Sequence, residues 1–340
     1  MENQKEILIS ARDLCKEFKS NGRTVHAVNH INLDIYKGET LGLVGESGCG
    51  KSTFGNMLVH LHTPDGGEIL YQGEEISHLK KKELKQMYRK IQIIFQDPYS
   101  SLDPKKTIGW LIEEPLRIHR VGADKQERAK LVQNMLEVVG MDESYLDKYP
   151  DELSGGQRQR VAIAIALILN PEFVVCDEAV SALDVSVQAQ VLNLLKKLQK
   201  QFSLTYLFIS HNLNVVSYMS DRIGIMYLGE IVELGDVKEI SANPLHPYGR
   251  ALFSASLGVG KSNDSRIVLQ GDLPSPSNPP GGCPFHTRCF MATEKCSSVK
   301  PELQNLGNGH YCACHRVEEC RKRAEAVCGL EKKEAVTGIA

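Results

Sequence analysis

The segment Leu41–Thr53, with the sequence LGLVGESGCGKST, carries residue types that bind phosphate. Its apolar start predicts a short buried strand, and the residues that follow match the pattern G-x-x-x-x-G-K-[ST]. Glycines allow the turns that let successive N–H groups converge on a phosphate at the start of the next helix. Lys51 can reach the β and γ phosphates, and the hydroxyl of Ser52 can ligate Mg²⁺. The residues that we expect around the phosphates are Gly45, Glu46, Ser47, Gly48, Cys49, Gly50, Lys51, Ser52 and Thr53.

Two carboxylates follow a second predicted buried strand, Phe173–Cys176. Asp177 and Glu178 are two adjacent carboxylates at the end of this strand, a pattern typical of phosphoryl-transfer sites. Gln96 and His211 each follow a further predicted strand, and ligands of parallel α/β sheets bind at the carboxyl ends of strands. We therefore expect these four side chains at one edge of a sheet. From the pattern alone, a hydrogen-bonded core histidine is the alternative for His211.

The segment Leu153–Gln157, LSGGQ, is a second candidate for phosphate binding. It precedes a predicted helix over residues 158–169, and serine is a favoured N-cap. Helix N-termini carry partial positive charge and free N–H groups, both of which favour anions. One chain therefore carries two candidate phosphate sites, and the second would be formed by Ser154, Gly155, Gly156 and Gln157.

The remaining patterns predict an α/β protein in which strands alternate with helices. Residues 6–13 and 27–36 alternate apolar and polar side chains, which predicts strands near the N-terminus. Residues 107–140 contain two helical patterns, and residues 222–234 predict a hairpin. Residues 258–282, rich in Gly, Ser, Asn and Pro, are typical of a linker or irregular loop. This order predicts a three-layer α/β fold with a mainly parallel sheet, a β-rich N-terminal part and a helical insertion.

Composition leaves room for one large domain and a smaller one, because the chain has 340 residues of which 42% are hydrophobic. The formal net charge is −2, so no overall field favours nucleic acid or an anionic membrane. The lysines of residues 80–90 are typical of a solvated helix face. The longest apolar run, residues 161–169, is far shorter than the ~20 residues that span a bilayer. The N-terminus lacks a secretory signal pattern, and with ATP as the ligand we expect a cytosolic compartment.

These motifs, in this order, resemble those of the ATP-binding subunit of ABC transporters, and the resemblance extends over about residues 7–320. Three stretches resemble the oligopeptide, dipeptide and nickel importer branch in particular. They are QDPYSSLDP at residues 96–104, DEAVSALD at 177–184 and NPLHPY at 243–248. The resemblance implies a P-loop NTPase of the α/β class with a β-rich N-terminal subdomain, a helical insertion and a small Cys-rich C-terminal extension.

The resemblance also implies a motor subunit that couples ATP hydrolysis to the uptake of di- or oligopeptides. The alternatives are an importer for nickel or another solute, and a soluble ABC ATPase that acts on nucleic acid or ribosomes. Balanced charge and the lack of a basic aromatic patch argue against nucleic acid, and a P-loop kinase or GTPase would leave LSGGQ unexplained. The implied domains are an ATPase domain over residues 1–255, with a helical subdomain at about 97–160, an extension over 256–330 and a tail over 331–340.

The family roles can be carried over to matching residues. Ser52, Gln96 and Asp177 would arrange Mg²⁺ and its waters. Glu178 would act as the general base that polarises the attacking water, and His211 would hold the γ phosphate and the water in line. These roles agree with the chemistry, because phosphoryl transfer depends mainly on positioning and charge stabilisation.

Further implied residues concern the adenine and a partner subunit. Phe18 falls where the family has an aromatic that stacks on adenine, although packing in the core is an equal alternative. Asp184 would lie at a dimer interface, where LSGGQ binds the γ phosphate held by a second ATPase subunit, a paralogue rather than an identical chain. The other implied partners are two transmembrane permease subunits and, through them, an extracytoplasmic solute-binding protein. The chain would then sit peripherally on the cytoplasmic face of the membrane.

Seven of the ten cysteines lie between Cys283 and Cys328, and their spacing lacks the C-x₂₋₄-C pairs of common zinc modules. Four such thiolates also suit a [4Fe–4S] cluster, which some members of the importer branch carry. Zinc, with His286 or His315 as an additional ligand, and the absence of any metal are the alternatives. Cys312 could replace the last member of the implied ligand set, which is Cys283, Cys289, Cys296 and Cys314.

Overall fold

The computed structural model describes residues 5–20, 22–256 and 267–322. These residues form two compact units. The first contains the residues up to Leu14, Asn32–Leu41 and Ser52–Ser210, and the second contains Cys15–Ile31, Gly42–Lys51 and the described residues from His211 onward. The domain boundary after residue 255 stays a prediction, while Cys328 and the predicted tail lie outside the described residues.

Strands and helices alternate along most of the chain, as the pattern predicts. The strands are β1 (Ile7–Ser20), β2 (Arg23–Tyr36), β3 (Thr40–Val44), β4 (Gly66–Tyr71), β5 (Glu74–Glu75), β6 (Ile91–Ile94), β7 (Phe173–Asp177), β8 (Thr205–Ile209), β9 (Arg222–Tyr227), β10 (Glu230–Asp236), β11 (Gln304–Asn305) and β12 (Tyr311–Cys312). The helices are α1 (Lys51–Leu58), α2 (Lys81–Lys90), α3 (Pro98–Ser101), α4 (Ile108–His119), α5 (Lys125–Val138), α6 (Gly155–Leu167), α7 (Val185–Phe202), α8 (Leu213–Met219), α9 (Val237–Ala242), α10 (Pro247–Ser256) and α11 (Glu294–Ser298).

The core of the first unit is built on parallel strands. β6 pairs with β7 from Ile91 opposite Phe173, and β7 pairs with β8 from Phe173 opposite Thr205. Every residue of β8 is buried, as are the first four of β7, which explains why these strands are continuous apolar runs. The predicted parallel core is therefore confirmed, with strand ends within a residue or two of those expected.

The N-terminal strands are longer than the predicted spans 6–13 and 27–36. They belong to a smaller sheet with the strand order β2-β1-β4-β5, and both β1 and β2 pass from one unit into the other. The side chains of residues 17–19 are all exposed, so buried and exposed positions no longer alternate there. The backbone nevertheless remains in the strand, because pairing with a neighbour does not require alternation.

The helical insertion contains α3, α4, α5 and α6. Thr107 caps α4 by accepting the N–H of Trp110 at 3.4 Å, and Asp124 caps α5 by accepting that of Glu127 at 2.8 Å. α6 begins at Gly155, three residues before the predicted start at Arg158, because Ser154 is its N-cap. α2 buries none of its residues, which confirms the solvated lysine face.

In the second unit the strand order is β11-β12-β10-β9-β3. β9 and β10 form the predicted hairpin, with Glu230 opposite Tyr227. β12 then pairs with β10, with Glu233 opposite Cys312. The C-terminal segment, residues 267–322, therefore adds strands to the sheet that contains β3, the strand before the phosphate loop. The described part of the predicted linker, residues 267–282, contains neither helix nor strand. Among all described helices, none combines the length and apolar character needed to cross a bilayer.

Candidate active site

The phosphate loop joins β3 to α1 and holds its lysine against its own backbone. The Lys51 side chain is buried, and Nζ donates to the carbonyl oxygens of Gly45 at 2.8 Å and Glu46 at 3.0 Å. The loop depends on glycine, because Gly50 has φ +107° and a Cβ there would lie 2.0 Å from the Ala27 carbonyl oxygen. A phosphate oxygen would offer this ammonium a charged acceptor, which is stronger than a carbonyl.

Glu46, the residue after the first loop glycine, uses its polar groups within the second unit. Its backbone N–H donates to the hydroxyl oxygen of Tyr248 at 2.8 Å. Its carboxylate accepts two bonds from the Arg288 guanidinium, at 2.7 and 3.0 Å. The predicted contact of Glu46 with phosphate stays a prediction, and the neighbouring Ser47 and Gly48 are exposed.

At the carboxyl end of the parallel strands, the first unit brings four predicted residues into two pairs. The Ser52 hydroxyl donates to Asp177 Oδ1 at 2.9 Å. Gln96 Nε2 donates to Glu178 Oε2 at 3.0 Å. The hydroxyl and carboxylate are hard oxygen donors of the kind Mg²⁺ prefers, and the amide orients the second carboxylate. Lys51 precedes Ser52 directly in the chain, so the residue with the loop ammonium is bonded to the residue with this hydroxyl.

Glu178 has a backbone conformation that is rare for its residue type. Its φ is +48°, in the left-handed region, and its N–H donates to the Ile209 carbonyl oxygen at 2.9 Å. Such strain costs about 1–3 kcal/mol and is concentrated at functional sites. The bond to β8 holds the residue in this conformation at the strand end.

The LSGGQ segment is a capped helix terminus. Ser154 Oγ accepts the Gln157 N–H at 3.4 Å, and Gln157 Oε1 accepts the Ser154 N–H at 2.9 Å, which is a capping box. Ser154 and Gly155 are exposed, whereas Gly156 is buried. A Cβ on Gly156 would lie 2.3 Å from Val187 Cγ1 of α7, so this glycine permits close packing of two helices.

The other expected residues lie at element boundaries or in strands. His211 follows β8 and is exposed, and Thr53 is half-buried in α1. Phe18 lies in β1 with 37% of its surface exposed and the Lys16 ammonium 5.6 Å from its ring centroid, so it is not part of the buried core. Asp184 caps α7, and hydrogen bonds from Ser186 and the Val187 N–H lower its pKa.

Comparison with known proteins agrees with this geometry. Residues 28–181 match the family described as ABC transporter, and residues 232–296 match the oligopeptide/dipeptide transporter C-terminal region. The oligopeptide transport ATP-binding protein AppF of Bacillus subtilis is 48% identical over 91% of this chain and 97% of its own length. The chain belongs to the ATP-binding subunits of ABC transporters, in their oligopeptide/dipeptide branch.

Other relatives of this ABC subunit support the same family and fold. The oligopeptide transport ATP-binding protein OppF of Haemophilus influenzae is 45% identical over 93% of this chain and 98% of its own length. The dimeric structure of MJ0796, a bacterial ABC transporter cassette, matches with a TM-score of 0.63 at 32% identity, over 68% of this chain and 99% of that one. A post-hydrolysis dimer of the same cassette, bound to ADP and phosphate, gives a TM-score of 0.62. The expected ABC ATPase fold is therefore confirmed.

The C-terminal segment of this ABC subunit gathers the expected thiols around one small cavity. Its lining includes all four members of the implied ligand set, Cys283, Cys289, Cys296 and Cys314, together with both histidines proposed for zinc, His286 and His315. Cys312 is buried in β12 and does not line the cavity. No group of three or more potential ligands among residues 5–20, 22–256 and 267–322 is arranged closely enough to hold a metal ion.

Backbone N–H groups point at several of these sulfurs. Cys289 and Cys314 each accept the N–H of the residue two positions later, at 3.4 Å in both cases. Burial raises the pKa of Cys283 to about 11, although a bond from the Phe285 N–H opposes the rise. Hydrogen bonds to sulfur favour the thiolate, the form that binds metal, but burial outweighs them at Cys283 and Cys289, whose pKa values are raised.

Two residues that contact the phosphate loop have no role that the sequence motifs predict. Tyr248 ends the NPLHPY stretch, and Arg288 lies in the turn His286–Arg288 directly before Cys289. NPLHPY resembles the importer branch and Arg288 adjoins Cys289 of the implied ligand set, and that was the available signal. Their contact with Glu46 depends on the fold of the second unit, which spacing alone does not reveal.

Proposed function

We propose that this ABC subunit binds and hydrolyses ATP to drive the import of di- or oligopeptides through membrane partners. The names of its relatives and the match to the oligopeptide/dipeptide C-terminal region support the substrate class. The observation that carries the hydrolytic part is the pairing of Gln96 with Glu178, next to the pair of Ser52 and Asp177.

Binding would use the phosphate loop and the strand ends. Lys51 and the loop N–H groups would hold the β and γ phosphates, while the glycines leave the backbone open to them. Ser52, Gln96 and Asp177 would hold Mg²⁺, which when bound neutralises phosphate charge and orients the reacting oxygens. Phe18, exposed on β1, would stack on the adenine.

Hydrolysis would use Glu178 as general base. Its carboxylate accepts a proton from water as the water oxygen attacks the γ phosphorus, and the bond to the bridging oxygen of ADP breaks to release ADP and phosphate. The hydrogen bond from Gln96 Nε2 keeps the Glu178 carboxylate oriented. His211 would hold the water and the γ phosphate in line.

The test of this mechanism is Glu178→Gln, which keeps the shape of the side chain and removes its basicity. ATP affinity should stay within about twofold, and turnover should fall about 10²- to 10⁴-fold because general-base catalysis is lost. Glu172→Gln is the matched control, since this acid directly precedes the same strand β7 and its carboxylate contacts Gln72 and Tyr71 rather than a predicted site residue. Undiminished turnover in the Glu178 variant would reject its role as base.

The exposed tip of α6 supports a second ATPase subunit as partner. Ser154, Gly155 and Gln157 would complete the site of the opposing phosphate loop, so that two nucleotides are enclosed in a head-to-tail dimer with Asp184 near the interface. A paralogue would provide the second subunit, and two permease subunits with an external solute-binding protein would complete the importer. A tagged chain should then co-purify from membranes with two multi-spanning proteins; recovery with ribosomes or nucleic acid instead would reject the importer.

We further propose that Cys283, Cys289, Cys296 and Cys314 hold a [4Fe–4S] cluster. Their shared cavity and the N–H groups directed at sulfur support this assignment, and cluster binding would displace the thiol protons. Anaerobically purified protein should be brown and contain about four iron atoms per chain, as the cluster formula requires. Cys314→Ser should lose the iron, whereas the matched variant Cys312→Ser should keep it. Stoichiometric zinc, or neither metal, would reject the cluster.

A further inference from the structure

Glu46 is held at three points, each by a different residue of the second unit. Tyr248 accepts its N–H, Lys51 donates to its carbonyl oxygen, and Arg288 donates two bonds to its carboxylate. The hairpin turn adds a further contact to the loop, because the Gly229 N–H donates to the Cys49 carbonyl oxygen at 2.8 Å. The conformation of the phosphate loop is therefore tied to residues far from it in the sequence.

Arg288 is suited to this task because it is held in place itself. Its side chain is only 7% exposed, compared with 30% for Glu46, and the bidentate bonds to Glu46 raise its pKa. A buried, planar guanidinium that meets a carboxylate with two parallel bonds has little freedom to rotate. The interaction is thus a directional contact rather than a loose surface ion pair.

The aromatic residues around Arg288 form a packed support. Phe285, one turn before Arg288, has its ring centroid 5.3 Å from those of both Tyr227 and Tyr248, which are 4.8 Å from each other. Edge-to-face packing of this kind favours one arrangement of the rings. Tyr248 accepts the Glu46 N–H from within this group, and burial raises the pKa of its hydroxyl, so the side chain stays uncharged beside the loop.

We propose that Arg288 and Tyr248 are positioning residues for ATP binding, which act through Glu46. Arg288 neutralises a carboxylate that stands in the phosphate loop and would otherwise repel a triphosphate. Tyr248 fixes the same residue by its backbone, so the loop loses less conformational freedom when the nucleotide binds. This proposal rests on the proposed ATP binding and gives the C-terminal segment a part in it.

The experiment compares the affinity of the full chain for MgATP in variants, by isothermal titration calorimetry. Arg288→Gln should weaken binding about tenfold, because it leaves the Glu46 charge unpaired beside the nucleotide. Arg288→Lys keeps the positive charge but loses the two parallel hydrogen bonds of the guanidinium, and it should weaken MgATP binding about threefold. The double variant Glu46→Gln with Arg288→Gln should bind more tightly than Arg288→Gln alone, since the unpaired charge is gone. The loss in Arg288→Gln should also shrink at high salt.

Lys300→Gln is the matched control, because it removes another ion pair of the same segment, Lys300 with Glu230, that does not involve Glu46. Its affinity should stay within about twofold of the wild type, and circular dichroism checks that every variant is folded. Unchanged affinity in Arg288→Gln, or a double variant as weak as the single one, would overturn the proposal. A wild-type chain that binds no ATP would instead reject the proposed function itself.

Discussion

The chain contains two glycine-bearing helix N-termini that resemble each other in sequence and differ in how they are completed. At the phosphate loop, Lys51 bonds to two loop carbonyls, and Glu46 is held by Arg288 and Tyr248. At the tip of α6, Ser154 and Gln157 cap each other, and Ser154 and Gly155 are exposed. The first terminus is supported from its own unit, while the second presents its N-terminal end to solvent.

The difference separates two ways of building an anion site. Preorganised donors lower the entropy lost on binding, so the phosphate loop is suited to hold a nucleotide in the single chain. An exposed terminus offers its favourable dipole and N–H groups to solvent, so it is suited to complete a site on another subunit. Variants of the two termini should therefore affect different measurements.

The largest expected effect is that of Lys51→Met, which keeps the length of the side chain and removes its charge. Binding of MgATP to the dilute single chain should weaken at least about 100-fold, because a charge-assisted bond to phosphate is lost. Ser154→Ala should bind like the wild type in the same calorimetric assay. Equal losses in both variants would contradict the distinction between the two termini.

Alanine variants of the two adjacent glycines at the α6 tip should have different effects, one on stability and the other on ATPase activity. Gly156→Ala places a methyl group 2.3 Å from Val187 Cγ1 and should destabilise the chain by about 1–3 kcal/mol in urea unfolding. Gly155→Ala is its matched control, because its methyl group meets only Leu183 Cδ2 at 3.5 Å. This variant should keep its stability and lose ATPase activity only in the assembled dimer. Full dimer activity would show that Gly155 does not face a partner.

A smaller effect is expected for the cap itself. Ser154→Ala removes the acceptor of the Gln157 N–H and should lower the free energy of unfolding by about 1 kcal/mol. Ser154→Thr keeps the hydroxyl oxygen and should retain most of that stability. If alanine and threonine variants unfold at the same urea concentration, the cap contributes nothing measurable.

The smallest effect concerns His310, the residue directly before β12. Burial lowers the pKa of His310, but hydrogen bonds and charges from Glu233 and Glu239 outweigh it and raise the pKa above its usual value. The protonated imidazole therefore stabilises the fold at a pH below about 6.5, and this contribution is lost as pH rises through the raised pKa. The difference in the free energy of unfolding between the wild type and His310→Gln should become smaller as the pH rises. Urea unfolding at several pH values measures this difference. A difference independent of pH would contradict this.

Local motifs account for the parts of the site that sequence analysis predicted. The phosphate loop requires glycines at set positions, and its N–H groups converge because of backbone conformation within a few residues. Asp177 and Glu178 follow an apolar run, which is enough to place them at the end of a buried strand. The pairing of Ser52 with Asp177 agrees with the rule that strands of a parallel sheet present their carboxyl ends together.

Sequence by itself thus determined the family, the parallel core and the residues of the phosphate loop, because these depend on contiguous motifs and on periodicity. Only the tertiary structure decided that Arg288 meets Glu46 across 242 residues of chain, that β12 pairs with β10, and that Cys314 rather than Cys312 lines the thiol cavity. Such contacts follow from which side chains are buried together once the sheet is complete. No spacing rule encodes them, since residues distant in the chain meet through packing rather than through local backbone geometry.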